Sequence, residues 1–236
     1  MTSFSRRSLG VEKYWSSDRG LTALLVSLAL LVFVVLPLET SGLIGPVWFY
    51  LVDVWLAGVI LAGATALGWH TLRRGLLGLG LAVVAAMAGL RLLARSVPAR
   101  WTETTASLTS ALVVSALVAL ILAQVLREGP TNRHRIYGAV AAYLLLGLDW
   151  AFGFRLVDVL LPGSFHGLAW APEAHNLSSF VYFSFCTLTT AGYGDIVPVT
   201  LPARSLANVE SLVGQLFPAV LLARLVGMSV TRRPPA

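Results

Sequence analysis

The sequence predicts an all-α membrane protein with six transmembrane helices and a short re-entrant helix between the fifth and the sixth. Three observations carry that expectation. Of the 236 residues, 57% are hydrophobic and only 12% are charged, against roughly a quarter charged in soluble domains. Mean hydropathy is +0.79. Long apolar runs alternate with short polar clusters, and each run reaches the roughly 20 helical residues that cross a hydrocarbon core of about 30 Å.

The six spans fall at about 21–38, 47–68, 75–95, 107–126, 136–161 and 203–229. The first run follows Arg6, Arg7, Lys13 and Arg19. It is too long for a signal peptide and lacks a small-residue cleavage site, so it reads as a retained helix. No soluble domain is left over. Residues 1–20 form a cytoplasmic N-terminus, 21–126 a four-helix sensor-like unit, 127–135 a cytoplasmic linker, 136–229 the last two spans with the segment between them, and 230–236 a short tail.

Orientation follows from the basic residues. With the N-terminus inside, the inner segments collect Arg6, Arg7, Lys13, Arg19, Arg73, Arg74, Arg127, Arg133, Arg135, Arg232 and Arg233, and the outer loops hold Arg95 and Arg100. The positive-inside rule therefore places both termini in the cytoplasm, as expected for a plasma-membrane (bacterial inner-membrane) protein. Because these charges are dispersed over loops, the net charge of +6 points to the lipid bilayer as partner and not to nucleic acid. Trp48, Trp69 and Trp101 fall near span ends, as interfacial anchors do. The single cysteine, Cys186, excludes an internal disulfide and a multi-cysteine metal site.

The segment between the fifth and sixth spans contains SSFVYFSFCTLTT (178–190), apolar but too short to cross, and then TTAGYGD (189–195). Non-helical backbone at membrane depth survives only where protein buries it or where it lines a watery cavity. Gly192 and Gly194 permit backbone angles that turn successive carbonyls one way, and carbonyls aimed at an axis can replace an ion's water shell.

TLTTAGYGD (187–195), after an aromatic-rich short helix and before a glycine-bearing span, resembles the pore of potassium channels. The six-span layout is similar to bacterial six-helix members of the voltage-gated-like ion-channel superfamily, although the first four helices match only in number and orientation. The resemblance implies a homotetramer, because one chain supplies a quarter of the ring. It implies K+ as the permeant ion, without a cofactor, held at Thr190, Ala191, Gly192 and Tyr193. Gly194 shapes the outer mouth, and Thr189, Tyr182, Phe183 and Asp195 support the filter. Valine is the family's commonest residue at the position of Ala191, and some relatives carry a glutamate at the position of Cys186. Gly214, 19 residues after Asp195, matches the hinge glycine of the family, and Pro218 one turn later can kink the helix. Gln215, Pro218, Leu222 and Val226 are expected to face the inner cavity.

Charges at membrane depth cost about 2.5 to 3.5 kcal/mol on insertion scales, so each needs a partner or a role. Equal depth suggests two pairs: Asp53 with Arg91, and Arg155 with Glu210, the latter joined by Asp158 as a clamp behind the filter. Asp149 has no partner that depth can name. Three residues of the outer loop, His166, Glu173 and His175, read as solvated side chains and not as a zinc or proton site.

Gating by voltage is not expected. Sensors carry roughly 3–4 charges per subunit with arginine at every third position, and the fourth span, SLTSALVVSALVALILAQVL, has no basic residue. Only TRRPPA follows the sixth span, which leaves filter, bundle, lipid, protons, a gating ligand or an accessory protein to open the pore. The alternatives are a weakly selective cation channel and a non-conducting regulatory subunit. An intramembrane enzyme ranks far below, because HExxH and GxSxG are both missing and His70 and His134 sit at loops.

Overall fold

The computed structural model describes residues 25–35, 99–126, 133–168 and 177–230. The predicted second and third spans, and with them Trp48, Trp69, His70, Asp53 and Arg91, lie outside the described residues, as do Glu173 and His175.

Helix α1, Leu25–Val34, widens into a π-helical turn over Leu31–Val35. Helix α2 is Ala99–Val125, and α3 is Arg133–Leu160. A two-residue strand β1, Phe165–His166, precedes α4, Leu177–Leu188. A second strand β2, Val197–Pro198, leads into α5, Leu201–Val230. Among the described residues three stretches are long and apolar enough to cross a membrane: Glu103–Ala123, Arg135–Leu160 and Leu201–Arg224. The described residues are thus mostly helical, in line with the expected all-α membrane fold. Helix α2 begins eight residues before the span read from hydropathy, because apolarity marks the part that meets lipid and not the helix end, and Trp101 stands 64% exposed there.

Helix α3 organises the rest. It packs along α2, carries α4 on another face and touches α5. Its last turn closes at Pro162, which cannot continue a helix, and at Gly163, whose φ of 81° suits the left-handed residue after a helix end. The loop then bonds back: the Ser164 hydroxyl donates to the Leu161 carbonyl at 2.6 Å. At the start of α5, Pro202 sits in the first turn, where its missing N–H would have been unsatisfied anyway.

Helix α4 shows why a 12-residue segment is stable here. Leu177, Phe180, Val181, Ser184 and Leu188 repeat at helical spacing and are buried, so one stripe faces α3. Behind it four rings interlock edge to face: Phe154 with Phe183 at 4.8 Å, Phe165 with Phe183 at 5.4 Å, Phe165 with Phe180 at 5.5 Å and Phe154 with Phe165 at 5.7 Å between centroids. Such pairs add about 0.5–1.5 kcal/mol each beyond burial. The stripe also rests on a bare spot of α3, since a Cβ on Gly147 would stand 2.7 Å from the Phe185 ring. Phe33 of α1 reaches the Phe185 ring, with centroids 6.3 Å apart.

Candidate ion pore

Residues 189–195 leave the end of α4 as an exposed, non-helical loop. Three successive amides turn back toward the helix: Thr190 N–H donates to the Thr187 carbonyl (3.0 Å), Ala191 N–H to the Cys186 carbonyl (2.9 Å) and Gly192 N–H to the same oxygen (3.3 Å). In a planar trans peptide the carbonyl points opposite to the following N–H. The carbonyls of Thr189, Thr190 and Ala191 therefore all point away from α4. Positive φ alternates along the loop, at Thr190 (58°), Gly192 (57°) and Gly194 (81°). Alternation of this kind turns neighbouring peptide planes the same way round, amides to one side and carbonyls to the other.

The two glycines are required by conformation and not by space, because a Cβ on Gly192 or Gly194 would meet nothing within 4 Å. Thr190 adopts the same left-handed region without that freedom, a strain of the kind that clusters at ligand sites. Its neighbour Thr189 is tied down by its own hydroxyl, which donates to the Phe185 carbonyl at 2.6 Å.

Support comes from two sides. Tyr182, exposed on α4, stacks on Tyr193 with ring centroids 6.3 Å apart and planes 7° from parallel. Its phenol donates to the Asp195 carboxylate, and that hydrogen bond pushes its pKa well above the ordinary tyrosine value. Burial likewise pushes the Cys186 thiol up. Phe183 packs edge to face against Phe154 and Phe165 in the ring cluster. On the far side β1 pairs antiparallel with β2, with Phe165 opposite Pro198 and His166 opposite Val197. Val199 N–H donates to the Ser164 carbonyl at 2.9 Å, and Thr200 to the Ser164 hydroxyl at 3.0 Å. Gly167 lies so close to the Asp195 carbonyl that a Cβ would be 1.9 Å from it. The chain leaving the loop is thus strapped to the chain leaving α3.

Glu210 is fully buried, but the expected ion pair with Arg155 is not what holds it. The Ser184 hydroxyl lies 2.5 Å from Glu210 Oε1 and 2.6 Å from the Gly147 carbonyl. Glu210 therefore stands level with Gly147, eight residues from Arg155 on α3, or about 12 Å along the axis at 1.5 Å per residue. Counting depth from span ends placed it two turns too far out. Asp149 does have a partner, Ser115 of α2, whose hydroxyl donates to Oδ2 at 2.5 Å. Neither serine could be singled out by charge counting.

Gly214 is buried against α4, and Ser211 one turn earlier donates to the Thr187 carbonyl at 3.4 Å. Gln215, Pro218 and Leu222 are exposed along α5, while the side chain of Val226 lies outside the described residues. Tyr193 is itself 73% exposed, so in one chain both the loop and much of α5 are left uncovered. No group of three His, Cys, Asp or Glu side chains suited to a metal occurs among the described residues.

Comparison with known proteins matches this region. Residues 145–230 fit the family model described as Ion channel. The matched segment runs from the middle of α3 through α4 and the TTAGYGD loop to the end of α5, and it supports a member of the ion-channel superfamily. Two relatives named Protein LctB are similar over part of their length. The one from Bacillus caldotenax is 31% identical over 87 residues, 34% of this chain and 63% of that protein. The one from Geobacillus stearothermophilus is 32% identical over 81 residues, 31% of this chain and 60% of that protein. The chain thus spans less than two thirds of the relatives it matches. No solved structure matches it.

Proposed function

We propose that the protein is a potassium-selective channel in which four copies surround an axis and K+ passes along the carbonyls of residues 190–193, with no chemical step. The observation that carries this reading is the common direction of the carbonyls of Thr189, Thr190 and Ala191, imposed by three amides bonded back to α4. Oxygens so aligned exchange for a cation's water shell, with binding weak enough at each site for the ion to leave. The exposure of the loop in a single chain supports the homotetramer, since an irregular loop at membrane depth needs protein or water around it. Six spans, cytoplasmic termini and a bacterial inner-membrane location complete the proposal, with residues 21–126 as a sensor-like unit and 136–229 as the pore unit.

A second reading, a weakly selective cation channel, is favoured by two observations. Ala191 leaves less bulk behind the loop than a branched side chain, and Cys186 carries no charge to hold Asp195. Potassium flux into liposomes separates these readings from a regulatory subunit. Gly192→Ala costs about 1–2 kcal/mol in a left-handed conformation and abolishes the flux if the loop is the conduction path. Undiminished flux through that variant would remove the loop from the path.

A further inference from the structure

The contact joining Ser184, Gly147 and Glu210 poses a proton count. Ser184 Oγ is 2.6 Å from the Gly147 carbonyl oxygen and 2.5 Å from Glu210 Oε1. A serine hydroxyl has one proton. The carbonyl can only accept, so Ser184 donates to it. The remaining contact, at the short end for two oxygens, then needs a proton from the carboxyl group. Glu210 Oε2 has no hydrogen-bond partner and the residue is fully buried. That setting is far costlier for an ionised carboxylate than for an acid with one carbonyl oxygen unpaired.

We propose that Glu210 is held as the neutral carboxylic acid and donates to Ser184, so that one proton relay, Glu210 to Ser184 to the Gly147 carbonyl, fastens α5 and α3 to the helix that carries the TTAGYGD loop. Glu210 is then a positioning residue that acts through α4. Among the described residues no cationic side chain is shown against the Glu210 carboxyl group. From α3 the ionisable group that couples to it is Tyr143, from α4 the contact is the Ser184 hydroxyl, and Arg155 sits two turns away on α3. Tyr143 itself donates to the Leu188 carbonyl at 3.3 Å, at the foot of the loop. Rising pH that removed the proton would leave two oxygens with one donor between them, and the three helices would separate where α4 meets the loop. The functional consequence rests on the channel reading, whereas the protonation does not.

Infrared spectroscopy of the full chain in liposomes tests this without conduction. A carboxylic-acid carbonyl stretch at neutral pH should be present in the native protein and lost in Glu210→Gln, and Ser184→Ala should shift its frequency by removing the acceptor. Loss of a carboxylate band in Glu210→Gln, or a carbonyl band unmoved by Ser184→Ala, would overturn the proposal. Rescue supplies the second readout, since glutamine keeps a donor for Ser184 and alanine does not. Potassium flux through Glu210→Ala should fall roughly tenfold below that through Glu210→Gln, the ratio set by one buried hydrogen bond. Equal flux through both variants would contradict the positioning role. A native protein that shows the carbonyl band but no flux would fail the channel reading and leave the protonation standing.

Discussion

Gly214 of α5 rests on the carbonyl of Leu188, the last residue of α4, so closely that a Cβ would stand 1.9 Å from that oxygen. Pro218, one turn on, lacks the N–H that would otherwise bond the Gly214 carbonyl. The point of closest packing between the two helices is therefore also the point where α5 has lost a rung of its ladder. Gly214, which the resemblance reads as a hinge, is in the structure the glycine on which α5 packs against the end of α4.

Gly214→Ala should destabilise the protein by about 1–3 kcal/mol, the range for forcing a methyl into a packed site. Gly227→Ala in the same helix meets nothing within 4 Å and should be neutral or slightly stabilising, because alanine is the better helix former. Thermal unfolding of the two variants in one detergent checks the contrast.

The Tyr182 and Asp195 contact depends on pH in one direction. The tyrosine proton is held more tightly in the folded than in the unfolded chain. Its stabilisation is complete below the ordinary tyrosine value of about 10 and is lost only as pH rises through the higher folded value. Open-pore behaviour should therefore be flat with respect to this pair between neutral pH and about pH 9, and Tyr182→Phe should shorten openings equally across that range.

Cys186 offers a chemical probe of the same face. Thiolate is the reacting form, and burial pushes the thiol's pKa up. Maleimide labelling in the folded protein at pH 8 should be slower than in the unfolded chain, and the gap should narrow as pH rises past the thiol's ordinary value. A folded-state rate equal to the unfolded one would show that α4 is not packed as described.

Much of this was legible in the sequence, and the failures have a common cause. Hydropathy located α3 and α5 to within a few residues, because lipid and helix length impose their signal on every turn. The quoted motif located the loop, because glycines at 192 and 194 mark backbone that side chains rarely allow. Partners were less legible. The Arg155 and Glu210 pairing failed because counting from span ends set Glu210 about two turns too far out, level with Arg155 and not with Gly147, where a neutral serine is the nearer match. The partner of Asp149, Ser115, and the strap formed by Ser164, Phe165 and Thr200 carry no charge or motif to announce them.

Voltage should act weakly on the open pore. Helix α2 has no basic residue from Ser107 to Leu126, so conductance should rise with depolarisation far less steeply than the roughly 3–4 charges per subunit of a sensor would give. Recording activation over a wide voltage range in planar bilayers measures that charge directly.

The central claim is that K+ passes along the carbonyls of TTAGYGD. Its most direct test is the reversal potential of the purified protein in a planar bilayer with potassium on one side and sodium on the other. The account predicts a value close to the potassium equilibrium potential. A reversal near zero, with current that Gly192→Ala abolishes, would contradict potassium selectivity.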